Sequence, residues 1–355
     1  MAYSMGYELL PHPKTPTHMP HTPHKRPTID DVARSAGVSK ATVSRVLSGT
    51  YPVSSSTKKA VQDAIDTLNY TASIRARSLA TGKSESIAIV ISEPLDTFFA
   101  DPTFALILRG ITDAMAATPY MPILLPTATP AEQRKALRLI TNQAVDAVIH
   151  LSPWADQEFL TPLLTHTIPV VLCGQDHIPH WSHRFSFVYS DDRRGAAQAA
   201  THLASRGSRN PVALLGAPKQ PAAQERLQGY RQIFPHLDNS RIRWGGWSPE
   251  NGAQAMRDIL ASGIPFDSVL AASDRIARGA LSVLTAHGLT VPTDVKIIGY
   301  DDHPTASDDS PQLSTIAQPM HEQGAHAFAL TQDMLNGHAP RSVLLPTHLH
   351  IRETT

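Results

Sequence analysis

Between Thr28 and Tyr70 apolar residues recur at intervals of three and four, the spacing that puts side chains on one face of an α-helix. Ile29, Val32, Ala33 and Ala36 share such a face. Thr28 stands at the N-cap, and Asp30 and Asp31 lie in the first turn, where the helix dipole favours acids. Gly37 interrupts the pattern. Ser39 is placed to cap a second helix with Val43, Val46 and Leu47 inside. After the turn Gly49-Thr50-Tyr51-Pro52, Ser54 opens a third, with Ala60, Val61, Ala64, Ile65 and Leu68 on one side. The pattern predicts three short helices.

From Ile87 onward short apolar runs alternate with helical stretches. Strands are predicted at 87–92, 122–126, 145–151, 169–173, 185–190, 212–216, 268–273 and 295–302, and helices at 104–117, 131–142, 193–206, 222–234 and 249–261. Such alternation predicts parallel sheets covered by helices on both faces, here enough for two sheets side by side. Residues 1–26 are different. Pro11, Pro13, Pro16, Pro20 and Pro23 alternate with His12, His18, His21 and His24. Proline removes backbone donors and fixes φ, so this stretch reads as a disordered, solvated tail and not as a metal site.

Composition narrows the function classes. In 355 residues no apolar run approaches the ~18 needed for a membrane span, and the N-terminus lacks a signal-peptide pattern. Cys173 is the only cysteine, which excludes an intramolecular disulfide and a Cys-based metal or redox site within one chain. A cytoplasmic protein without membrane association, metal or cofactor is expected. The net charge of zero hides an asymmetry. Residues 24–83 carry ten Lys and Arg against four acids, a net of +6, and residues 84–355 carry a net of −6. A basic head on an acidic body fits a polyanion partner for the head, and it also fits ordinary surface scatter.

A helix, a Gly-containing turn and a second short helix form a helix-turn-helix arrangement, in which the second helix enters the DNA major groove. Its outward residues are Ser39, Lys40, Ala41, Ser44, Arg45 and Ser48, with Thr42 beside them. Lys and Arg reach guanine acceptors or phosphates, Ser both donates and accepts, and Ala touches a thymine methyl. The arrangement alone does not separate a DNA-binding head from a three-helix bundle with a polar face.

The residues themselves do more. Thr28 to Gly49 (TIDDVARSAGVSKATVSRVLSG), followed by Val53, Ser54 and Thr57, resembles the N-terminal signature of the lactose/galactose repressor (LacI/GalR) family. Tyr70 to Ser92 (YTASIRARSLATGKSESIAIVIS) is similar to that family's hinge, with Ala76, Arg77, Leu79, Thr81 and Gly82 matching. The resemblance runs from about Pro27 to Arg352 and implies that Thr28 and the helix-turn-helix residues above contact DNA. It further implies that Ser73, Ala76, Arg77 and Leu79 form a hinge helix, whose leucine wedges into the minor groove of a bent site. Ala72-Ser73 replaces the family's usual Pro-Asn. Ser73 still offers a cap, but proline's fixed φ is lost.

For the body the resemblance implies a periplasmic-binding-protein-like core with an effector between two lobes. Arg226 in ERLQGY matches the family's cleft arginine, whose guanidinium forks onto hydroxyls or a carboxylate. Asp301 in IGYDD and the pair Ser273 and Asp274 in LAASD follow strands. Trp247 in GGWSPENG stands where some members lay an indole on the ligand. Each has a structural alternative: an interlobe salt bridge for Arg226, a turn cap for Asp301, a core position for Trp247. After the first strand the family often has Asn-Pro-Phe-Phe. This chain reads EPLDTFFADPTF over 93–104, a longer loop in which Asp101 and Phe104 take that place, with Asp101 either reaching the cleft or capping the next helix. Asp191 or Asp192, at the start of DDRRGAAQAATHL, is a further candidate.

The expected fold is therefore α plus α/β. A tail (1–26), a helix-turn-helix domain (27–72) and a hinge helix with linker (73–85) precede a core of doubly wound parallel sheets, with one lobe from 86–187 and 317–338 and the other from 188–316 and 339–355. The expected function is a sequence-specific transcriptional repressor, a homodimer on a roughly palindromic operator, controlled by a small molecule of sugar type. Two rivals are a binding protein with no DNA role and a sugar-processing enzyme. The Thr28–Gly49 motif argues against the first. The lack of a Gly-x-Ser-x-Gly elbow, a phosphate loop or a metal triad argues against the second, so no catalytic residue is assigned. His150, His166, His202 and His287 read as core or surface histidines.

Overall fold

The computed structural model describes residues 27–48, 52–70, 82–152, 157–175 and 181–355. The tail, the turn at 49–51 and the segment 71–81, which carries Ser73, Ala76, Arg77 and Leu79, lie outside the described residues. The chain forms two units, Met1–Gly82 and Lys83–Thr355.

In the first unit α1 (Ile29–Ser35), α2 (Lys40–Ser48) and α3 (Ser55–Leu68) surround Val32, Ala33, Val43, Val61 and Ala64. At the start of α1 the backbone N–H and the hydroxyl of Thr28 both donate to Asp31, at 2.9 and 2.7 Å. Gly37 takes φ 66°, a left-handed conformation that costs glycine nothing, and the Val38 N–H returns to the Ala33 carbonyl at 3.0 Å. Ser39 and Ser54 accept the backbone N–H of Thr42 and Thr57 at 3.1 and 3.2 Å, so both predicted caps form. Leu47, expected inside with Val43 and Val46, is 40% exposed. It falls in the last turn of a nine-residue helix, at the edge of a narrow apolar stripe.

The second unit holds two parallel sheets. The first runs β11-β5-β4-β3-β1-β2, from β1 (Ser86–Ile91), β2 (Met121–Pro126), β3 (Ala147–Leu151), β4 (Val170–Cys173), β5 (Ser186–Ser190) and β11 (Ser342–Leu345). Alternate residues of β1 serve two cores. Ile87, Ile89 and Ile91 pack with Ile107 and Ile111 of α5 (Pro102–Met115) and Phe328 of α13 (Met320–Leu335). Ala88 and Val90 pack with Ala136 and Ile140 of α6 (Pro130–Thr141). Helices on both faces explain why the strand is apolar without alternation. The helices α5 and α13 cross so closely that a Cβ at Gly110 would meet the His321 carbonyl, and one at Gly324 the Ile107 carbonyl.

The second sheet runs β7-β6-β8-β9, from β6 (Pro211–Leu215), β7 (Ile242–Trp244), β8 (Ser268–Ala271) and β9 (Lys296–Ile298). It is flanked by α8 (Asp192–Ser205), α9 (Pro221–Ile233), α10 (Pro249–Ala261) and α11 (Asp274–Ala286). An antiparallel pair, β10 (Thr315–Ala317) with β12 (His348–His350), adjoins it.

The lobe boundaries differ from the expected ones. The first lobe's sheet keeps β5 through Ser190, and β11 pairs in parallel with β5, so residues 342–345 belong to the first lobe and not to the second. The chain then returns to the second lobe with β12 and the residues after it, where the Ile297 N–H donates to the Thr354 carbonyl at 3.0 Å. Strands of three and four residues flanking Pro346 are too short for period-two alternation to register. The stretch expected as a longer loop after β1 contains α4 (Leu95–Ala100). Among the described residues, no helix is long and apolar enough to cross a membrane.

Candidate functional site

On the head, Ser39, Lys40, Ala41 and Arg45 are exposed along α2, and Thr42 and Ser44 are half-buried. Ser48 ends the helix. Ser39, Thr42 and Lys40 have partners within the head. The Ser39 hydroxyl holds the cap and lies 2.9 Å from the Thr42 hydroxyl, and the Lys40 ammonium lies 2.5 Å from Asp30 of α1. The exposed face of α2 is polar and basic, matching the residue types that read base edges and phosphates.

In the second unit a cavity of about 660 Å³ opens at the C-terminal ends of β1, β3, β4, β5 and β6, where open α/β sheets hold ligands. Arg226 sits on its wall, projecting from α9 and 4% exposed. Its Nε donates to Asp192 at 2.8 Å. Its Nη1 donates to Asp301 at 3.3 Å and to the Ala272 carbonyl. The guanidinium lies 3.7 Å over the Tyr300 ring and 5.4 Å from that of Trp247. Burial works against its charge, but Asp192 and Asp301 outweigh burial and raise its pKa, so it stays a cation. Burial pushes the carboxyls of Asp192 and Asp301 upward, with Arg226 pulling the other way. Among the described residues Nη2 has no protein partner, which leaves one edge of the fork for a ligand.

Asp301 and Asp302 follow β9 with φ of 105° and 59°, a region that side chains with a Cβ rarely enter. Strain of this kind is held where the surroundings over-determine it, and it aims the Asp301 carboxylate into the cavity rather than along the strand. Gln318 donates to the same carboxylate at 2.6 Å, and Gln175 donates to Asp192 at 3.0 Å. The Trp247 indole N–H donates to Gln220, which presents the ring to the cavity with its polar edge satisfied.

Of the eight effector residues expected from sequence, Asp101, Phe104, Arg226, Trp247 and Asp301 line the cavity. Asp191, Ser273 and Asp274 lie off its wall. Asp191 caps α8 by accepting the Arg194 N–H at 3.1 Å, and its neighbour Asp192 faces the cavity instead. Ser273 caps α11 through the Ile276 N–H at 3.1 Å. Asp274 is wholly buried, accepting the Thr315 hydroxyl at 2.6 Å and the His303 N–H at 2.8 Å. Both alternatives for Asp101 hold, since it caps α5 and also lines the cavity. Sequence reasoning missed Arg275 and Gln220. The only signal for Arg275 was its place directly after Asp274, at the start of a helix following a strand.

Three of the histidines singled out in the sequence have ordinary partners: His150 the Leu151 carbonyl at 3.1 Å, His202 the Thr355 hydroxyl at 2.7 Å and His287 the Val283 carbonyl at 2.8 Å. Burial raises the Cys173 thiol to about 12, so it stays protonated at neutral pH.

Residues 28–73 match the family described as bacterial regulatory proteins, lacI family, and residues 200–355 match the periplasmic binding protein-like domain. The HTH-type transcriptional regulator CelR of Thermobifida fusca is 33% identical over 93% of this chain and 98% of that protein. Among solved structures, a transcriptional regulator CelR–cellobiose complex superposes with TM-score 0.73 at 32% identity, over 93% of this chain and 100% of that one. The lac repressor dimer bound to operator and the anti-inducer ONPF superposes with TM-score 0.79 at 26% identity, over 93% and 99%.

Proposed function

Because this chain belongs to the lacI family of bacterial regulatory proteins, we propose that it is a cytoplasmic repressor whose affinity for a DNA operator is set by a sugar bound in the cleft. The observation that carries the sugar reading is the Arg226 cluster. A guanidinium with a free edge, carboxylates able to accept paired hydroxyls and a flat indole beside them suit the alternating polar rim and C–H face of a pyranose. The cellobiose bound to CelR supports the same class. The lac repressor dimer on its operator supports a homodimer whose two heads take a roughly palindromic site.

Regulation is then a linkage. Sugar and DNA each favour one arrangement of the lobes, and each changes the other's affinity by the same factor, about 1–3 kcal/mol in such systems. Selection from a random DNA library with the full-length protein, with and without a sugar panel, tests this. A palindrome of about 14–20 base pairs, as two half-sites require, whose enrichment changes with one sugar is expected. Enrichment indifferent to every sugar would remove the effector class, and no enrichment would remove the DNA role.

A further inference from the structure

A second arginine reaches the cleft from the other side of the Arg226 cluster. Arg275, in the first turn of α11, donates from Nη1 to Asp101 at 3.0 Å, and each side chain is 15% exposed. The pair links the two lobes, with Asp101 at the cap of α5 in the first and Arg275 in the second. Arg275 lines the cavity, and among the described residues its Nε and Nη2 have no protein partner. The guanidinium is thus hydrogen-bonded to Asp101, with the charge of Glu250 also acting on it, and two of its nitrogens have no hydrogen-bond acceptor among the described residues.

The helix that leads into Asp101 completes the surroundings. Asp96, Thr97 and Ala100 of α4 line the cavity, a spacing that places them on one side of the helix. Phe98 points the opposite way, is 2% exposed and stacks on Phe104, with centroids 5.1 Å apart and planes at 23°. A buried aromatic therefore sets the phase of α4 and turns its polar side to the cleft. His303 joins the two clusters, its Nε2 3.7 Å from Asp101 and 3.7 Å from Asp301. One cavity thus contains two anchored forks, and its volume falls in the upper half of the roughly 300–1,000 Å³ range of ligand pockets.

We propose that α4 and the Asp101–Arg275 pair form a second ligand subsite, which takes the second residue of an uncharged disaccharide or longer oligosaccharide. Arg275 donates to the hydroxyls of that residue, and Asp96 and Thr97 accept from them. Anionic sugars are disfavoured, because five carboxylates (Glu93, Asp96, Asp101, Asp192 and Asp301) line the cavity against two guanidinium groups. The proposal rests on the sugar reading of the cleft.

Calorimetric titration of the full-length protein with cellobiose, maltose and lactose, their component monosaccharides and glucose 6-phosphate tests it. The best disaccharide should bind at least about tenfold tighter than its monosaccharides, the scale of one hydrogen bond to a charged group, and the phosphate should bind weakest. R275K keeps the charge opposite Asp101 but loses the fork, and T97A removes a hydroxyl. Each should lower disaccharide affinity several-fold more than monosaccharide affinity. A pair that only holds the lobes together would weaken both sugars alike, and that result overturns the subsite, as does a monosaccharide bound as tightly as any disaccharide. Silence toward every sugar by a protein that still binds its operator is a distinct outcome, which removes the sugar reading and the subsite with it.

Discussion

Arg226 and Asp192 meet at 2.8 Å with side chains 5% and 6% exposed, so the cleft is built on a buried ion pair and not a surface one. Asp301 approaches the same guanidinium at 3.3 Å. Such a cluster is held by mutual satisfaction: each charge tolerates burial because the others are there, and a ligand adds partners to what remains open.

Removing one partner should therefore cost more than the bond it makes. Arg226→Ala leaves Asp192 and Asp301 buried without a counter-charge, and a loss of about 3–5 kcal/mol in unfolding free energy is expected, read from urea denaturation. Asp192→Asn combined with Arg226→Ala should cost clearly less than the two single changes added together. Strict additivity would mean that the two side chains act independently.

Asp274 gives the stability a pH dependence of stated sign. Burial, with Asp301 nearby, pushes its carboxyl well above the ordinary range, against the Thr315 hydroxyl and the His303 N–H. The folded state then holds this proton longer than the unfolded chain. The corresponding stability is full below the unfolded pKa of about 3.9 and is lost as pH rises through the folded value. Asp274→Asn should flatten that decline, which sets in as pH rises above the unfolded value. Urea titrations at a series of pH values measure it, and equal slopes in both proteins would count against a raised Asp274.

The crossing of α5 and α13 leaves no room at Gly110 or Gly324. Either Gly→Ala change places a methyl on a carbonyl of the facing helix, which cannot withdraw without moving the helix. A destabilisation of about 1–3 kcal/mol is expected for each, and an unchanged thermal midpoint would show that the helices separate freely.

On the head, Asp30 tethers Lys40 at 2.5 Å in an exposed pair. Such pairs contribute about 0–1 kcal/mol to stability, so Asp30→Asn should barely move the thermal midpoint. It frees an ammonium at the start of α2 and removes an acid from the face proposed to meet phosphates. The salt dependence of operator binding should steepen by about one counterion equivalent. An unchanged slope would place Lys40 away from the DNA.

Long, fully buried elements were legible in the sequence because their pattern repeats. Ile87 to Ile91 and the helix holding Ile107 and Ile111 carry enough apolar positions to declare themselves. Strands β11 and β12 did not, since three or four residues around a proline hold no period. Asp191 and Asp192 illustrate the limit for sites: neighbouring identical residues take opposite roles, and helix phase decides which caps and which faces the cleft. Arg275 was invisible for a related reason. Its partner Asp101 is 174 residues away in sequence, and only the meeting of two lobes brings them together.

In the proposed function, sugar and operator bind to one coupled machine. Fluorescence anisotropy of a labelled operator, titrated with full-length protein at fixed salt with and without a saturating disaccharide, measures that coupling. A change in operator affinity of about 5- to 150-fold, the range of such couplings, is the expected result. Identical operator affinity in the presence of a sugar shown by calorimetry to be bound would contradict it.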